Sequence, residues 1–218
     1  MNKYKIICTF FSALILSAAA PLPVCAWETL KNNSGINVSA QRIEGSGVRE
    51  FMAVTVAEAT LSSILALLDD TDNYTRWNYR CSEARLLYKK NDYERITYMV
   101  TASPWPVAER DIAVKSIVLQ DRETGVVTVS LKGLPGYLPE KEGRVRMTSL
   151  RGYWRLEPLG SGRVRIIYRL HSEPGGSVPD SIMNSSLVDI PYNTLWNLRN
   201  SVKMEPYKGA RYKRITER

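Results

Sequence analysis

Apolar and polar positions alternate from Val48 to Val56, and that period of two predicts a strand. From Ala57 to Asp70 the period changes. Leu61, Ile64, Leu65 and Leu68 fall three or four apart, as on one face of a helix. The run Asp69-Asp70-Thr71-Asp72-Asn73 then caps a short second helix carrying Tyr74 and Trp77. Six strand-like segments follow in pairs, each pair joined by a short turn. The first, about 80–90 and 93–102, turns at Asn91-Asp92, and the second, about 109–120 and 125–133, at Glu123-Thr124-Gly125. The third, about 143–157 and 162–173, turns through Leu159-Gly160-Ser161-Gly162.

The longest helical pattern comes last, from Pro179 to about Lys203. Met183, Leu187, Ile190, Thr194, Leu198 and Val202 recur every three or four residues and form one mostly apolar stripe. Pro191 sits inside this pattern, where it removes a helical hydrogen bond to Leu187 and predicts a bend. Helices, a meander of six or more antiparallel strands and one terminal amphipathic helix make an α+β fold. No repeat, low-complexity block or linker interrupts it, so residues 27–205 read as one domain with a basic tail, 206–218.

Composition changes the picture at the N-terminus. Lys3 and Lys5 precede an apolar stretch from Ile6 to Leu16, and Val24-Cys25-Ala26 supplies a small-residue cleavage site. Residues 1–26 therefore read as a signal peptide, and the mature protein as exported, periplasmic or secreted. The apolar stretch is short for a membrane span. Cys25 raises the alternative of a lipoprotein, against which Val24 stands where a small residue is usual. Cleavage after Ala26 leaves Cys81 as the sole cysteine, so no internal disulfide forms and packing must hold the fold. The 218-residue chain carries a net charge of +8, which loss of Lys3 and Lys5 lowers by two. A moderately basic exported protein meets anionic membrane surfaces more readily than nucleic acid, and no nucleic-acid motif is present.

Two segments carry the strongest signal. Pro104-Trp105-Pro106-Val107-Ala108-Glu109-Arg110-Asp111 ends one strand with prolines, which cannot donate ladder hydrogen bonds, and opens the next with an Arg-Asp pair. Gly175-Gly176-Ser177-Val178-Pro179 ends a long strand and starts a helix at proline. In order and spacing these motifs resemble the START family of lipid transfer domains over roughly residues 27–203. The resemblance implies a helix-grip fold, a curved antiparallel sheet wrapped around the C-terminal helix. It also implies a hydrophobic tunnel for one lipid-like ligand, no cofactor or metal and no catalysis. In sterol-binding members an arginine follows the Arg of the Arg-Asp pair by six residues. Here that position is Ser116, beside Lys115, which argues against sterol specificity.

Such a tunnel needs apolar walls and a few polar groups. The expected lining is Thr97, Met99, Met147 and Tyr153 from the sheet, with Met183, Leu187, Ile190, Thr194 and Leu198 from the last helix. A filled core would use the same residue types, so a structural domain is one rival reading. An enzyme of the cyclase or hydrolase kind on the same scaffold is another, with Glu50, Glu94 and His171 as its only candidate acids or bases. His171, the one histidine, shares strand parity with Arg163, Arg165 and Arg169 and is expected at the surface. HExxH, CxxC, GxSxG and Walker patterns are absent. Trp105 is expected to plug the sheet edge or cap the tunnel, and Arg110-Asp111 to form a local ion pair. Lys208, Arg211, Lys213 and Arg214 read as a solvated tail that could touch an anionic bilayer.

Overall fold

Residues 26–218 are described by the computed structural model, so the expected leader lies outside the described residues apart from Ala26. The chain runs β1 (Glu28–Asn33), β2 (Ile36–Gln41), β3 (Glu50–Glu58), α1 (Leu61–Asp69), a 3₁₀ turn (Thr71–Asn73) and α2 (Tyr74–Trp77). Then come β4 (Cys81–Asn91), β5 (Glu94–Thr101), β6 (Glu109–Gln120), β7 (Val127–Leu134), β8 (Arg144–Arg146), β9 (Ser149–Gly160) and β10 (Arg163–Glu173). The long terminal helix, α3, spans Asp180–Ser201. One unclosed sheet holds the strands in the order β1-β2-β3-β10-β9-β7-β6-β5-β4, antiparallel throughout, with β8 pairing β6 in parallel off that path. Helix α3 packs on β2 and β3, beside α1 and α2, so the sheet grips the terminal helix.

The predicted strands and helices are present, with two differences. The β1–β2 hairpin was not predicted. Its two-residue turn, Ser34-Gly35, has both φ angles positive, as a tight hairpin requires. Ile36, Val38 and Ala40 of β2 point into the core and the polar residues between them point away. The second difference is that the predicted strand 143–157 is two strands. At Met147–Thr148 the chain leaves β6, to which β8 is paired, and begins β9 against β10. The alternation of side chains reverses across that break.

Local contacts explain the element ends. Thr60 caps α1, its hydroxyl accepting from Ser63 N at 3.1 Å. The Glu217 carboxylate takes the N–H groups of Leu61 and Ser62 at 2.9 and 2.8 Å, so the tail itself finishes this helix. Tyr207 is buried, and Thr216 pairs with Gln120. Residues 206–218 are thus laid along the domain rather than loose in solvent. Gly152 lies where any Cβ would collide with the Arg169 carbonyl, which lets β9 and β10 approach closely.

The core centres on aromatic rings. Trp154 and Tyr168 stack with centroids 3.8 Å apart, and Trp77 meets Trp154 edge-on at 6.3 Å. Arg110 and Asp111 do not pair, because adjacent strand residues face opposite sides. Asp111 turns outward to a fork on Arg146, with Nε–Oδ1 at 2.8 Å and Nη2–Oδ2 at 3.1 Å, and accepts from Tyr98 at 2.8 Å. Arg110 turns inward.

Candidate functional site

Between the inner face of the sheet and α3 lies a cavity of about 210 Å³. Its deep end is aromatic and aliphatic: Trp77, Trp154, Tyr168 and Leu131. The register fixes what stands at the other end. Cys81 pairs with Thr101, Thr101 with Arg110, Leu170 with Phe51, and Glu173 with Ser149. The start of β3, the end of β10, the start of β6, the end of β5 and the start of β4 therefore meet at one edge. That edge gives the cavity Arg49, Arg80, Arg110, Thr101 and Ser172. Val178, Ile182 and Met183 cover it from the loop before α3 and its first turns, and Arg110 Nη2 donates to Ser177 O at 3.2 Å.

Six of the nine residues expected to line a tunnel lie in this wall: Thr97, Met99, Met147, Met183, Leu187 and Ile190. Tyr153, Thr194 and Leu198 lie outside it. A continuous strand through 143–157 would put Met147 and Tyr153 on one face. The break after β8 reverses the alternation, so Met147 and Trp154 face the cavity and Tyr153 faces out beside Arg169. Thr194 is used elsewhere, its hydroxyl accepting from Tyr79 N at 3.2 Å. Leu198 is fully buried in the aromatic core. The first half of α3 lines space, and the second half fills it.

The candidate acids and bases are all outside the wall. Glu50 binds Arg169 at 2.7 Å and Gln41 at 2.7 Å, and Glu94 binds Lys115 at 2.8 Å. His171 is not at the surface as its parity suggested. It is 3% exposed, because the loop between β2 and β3 folds over it and sets Ser46 Oγ 3.1 Å from its Nε2, with Glu173 alongside. Cys81 does border the cavity, but burial pushes its thiol up to about 11, away from the thiolate. Ser116 is in the wall and Lys115 points away to Glu94, so no charge stands at that position. Trp105 neither plugs the edge nor caps the cavity. It is 92% exposed, two residues beyond the wall residue Ser103.

Sequence reasoning missed Arg49 and Arg80, and assigned Arg110 to an ion pair. A parity signal for Arg110 was present: Arg110, Ile112, Val114 and Ser116 alternate along β6 and all four border the cavity. Arg49 and Arg80 fall inside the predicted strands 48–56 and 80–90 but just before β3 and β4, and their charge gave no sign that they border a cavity.

The family model described as START domain matches residues 20–194. An uncharacterized protein of Pseudomonas aeruginosa is 33% identical over 195 residues, covering 89% of this chain and 96% of that protein. The phosphatidylcholine transfer protein of Mus musculus is 24% identical over 163 residues, 72% of this chain and 75% of its own length. Among solved structures, a STAR-related lipid transfer protein fragment from Xanthomonas axonopodis is 31% identical with a TM-score of 0.75, covering 82% of this chain and 99% of that one. Human StAR-related lipid transfer protein 5 superposes with a TM-score of 0.71 at 17% identity, over 81% of this chain and 86% of its own.

Proposed function

This chain belongs to the START domain family, and we propose that it holds one lipid-like molecule in the cavity under α3, for carriage or sensing, and exchanges it at a membrane. One observation carries the reading. Ile182, Met183, Leu187 and Ile190 of α3 are only partly buried although they face inward, because the space opposite them is unfilled. A filled structural core would have buried them, as it buries Leu195 and Leu198 of the same helix. An apolar chain seated there would remove those side chains from water, at roughly 25 cal/mol for each Å² covered. The relatives named as lipid transfer proteins support the same reading.

The enzyme reading has less to stand on. Among the described residues the wall contains no aspartate, glutamate or histidine, and its one thiol is held protonated. Trp105 supports contact with a membrane: an exposed indole beside the cavity edge suits the boundary between headgroups and acyl chains. Native mass spectrometry of the protein purified from its host is the direct test. A stoichiometric co-purifying lipid is expected. Protein that stays bare after exposure to lipid vesicles sinks the carrier in favour of a structural domain.

Export completes the proposal and rests on the leader pattern of residues 1–26. N-terminal sequencing of the mature protein should begin at Trp27, and an acylated Cys25 would replace this assignment with a lipoprotein.

A further inference from the structure

The cavity wall is unevenly satisfied. Four buried side-chain polar atoms that lack a hydrogen-bond partner belong to it: Nε of Arg49, Nε of Arg110, Nε1 of Trp77 and Oγ1 of Thr97. Three of these are N–H donors with nothing to donate to. Buried donors are nearly always paired, so a cluster of unpaired ones in one wall requires an explanation.

Charge sharpens the point. Arg110 is 4% exposed, and its terminal nitrogens reach only backbone carbonyls, Ala108 O and Ser177 O. Among the described residues no carboxylate pairs with it or with Arg80, and Arg49 spends only Nη2 on Glu28, at 2.6 Å. A buried guanidinium without a counter-charge is costly, and it cannot escape by losing its proton. The register sets Arg49, Arg80 and Arg110 at the same edge of the sheet, with the hydroxyls of Thr101 and Ser172 among them. The opposite end is closed by aromatic rings. The cavity is therefore cationic at one end and chiefly aromatic at the other, where the unpaired Trp77 N–H also stands.

Resting on the lipid-tunnel reading above, we propose that the ligand is an anionic amphiphile. Its carboxylate or phosphate oxygens sit against Arg110 and Arg49 at the strand-end edge, and its chain runs inward toward Trp77, Trp154 and Tyr168. The ligand supplies the counter-charge that the protein withholds from Arg110, and the guanidinium N–H groups suit planar or tetrahedral oxyanions. A neutral lipid would leave Arg110 buried and unpaired, so the site selects by charge as well as by shape.

Displacement of bound Nile red from the full mature protein tests this, with oleate, lysophosphatidic acid, oleyl alcohol and inorganic phosphate as competitors. Oleate or lysophosphatidic acid should displace the dye at concentrations about tenfold below oleyl alcohol; Arg110→Gln should erase that preference while shifting oleyl alcohol by no more than about twofold. Whichever anionic lipid wins identifies the head group as carboxylate or phosphate. Arg49→Gln, whose side chain is 26% exposed and easier to replace, should reduce the same preference if Arg110→Gln fails to fold. Oleyl alcohol binding as tightly as the anionic lipids overturns the inference and leaves the lipid tunnel standing. Inorganic phosphate displacing the dye as well as the lipids overturns it in favour of a small-anion site. No displacement by any of the lipids overturns this inference and the tunnel reading together.

Discussion

The two halves of α3 share one helix and one periodic stripe, yet they meet different surroundings. From Ile182 to Ile190 the inward residues are only partly buried and face the cavity. From Pro191 to Leu198 the inward residues Tyr192, Thr194, Leu195 and Leu198 are buried against the core formed by α1, α2, β2 and β3. Pro191 marks the boundary. The stripe therefore plays two parts: its C-terminal half anchors the helix with dry packing, and its N-terminal half faces unfilled space. A helix anchored at one end and loosely covered at the other opens most readily at the loose end.

Truncating one leucine in each half should separate these roles most sharply. Leu198→Ala removes a fully buried side chain from a filled core and should cost about 2–5 kcal/mol of stability. Leu187→Ala enlarges a space that is already open, so the ligand-free protein should lose no more than about 1 kcal/mol, toward the low end for a partly exposed apolar residue. Urea unfolding of the delipidated proteins checks both. Equal losses at the two positions would show that the N-terminal half is packed as tightly as the C-terminal half.

The same contrast explains what could be read from the chain. Strand and helix order followed from periodicity and turn residues, because those signals are local. The β1–β2 hairpin escaped, although Asn33-Ser34-Gly35 and the alternation from Ile36 to Ala40 mark it. Part of the cavity was legible, since Thr97, Met99, Leu187 and Ile190 lie on unbroken elements whose parity holds. Tyr153 was misplaced by a break that only pairing with β6 and β10 creates. Thr194 and Leu198 were misplaced because periodicity identifies an inward face but not whether anything stands opposite it. His171 was hidden by a loop more than a hundred residues away in sequence, carrying Ser46. The tail was read as loose, yet Glu217 closes α1, a contact that no local pattern announces.

The boundary itself offers the smallest and most discriminating test. Pro191 cannot donate to the Leu187 carbonyl, and Asn193 Nδ2 donates to Asp189 O at 2.8 Å in the next turn. An interior proline costs a helix about 3 kcal/mol, but proline also restricts the unfolded chain by about 0.4–1 kcal/mol, so Pro191→Ala should gain at most about 2.6 kcal/mol. The stability change is only half of the measurement. If the missing hydrogen bond lets the N-terminal half swing away, Pro191→Ala should slow lipid exchange between vesicles while equilibrium binding stays unchanged. If the proline instead shapes the helix to the curved sheet, the variant should lose stability, because a regular helix would lift Tyr192 or Leu195 from the core. Exchange at the wild-type rate in a variant as stable as wild type would end the hinge idea. The covering of the cavity would then move by some other segment, and the loop from Pro174 to Pro179 would be the next to restrain.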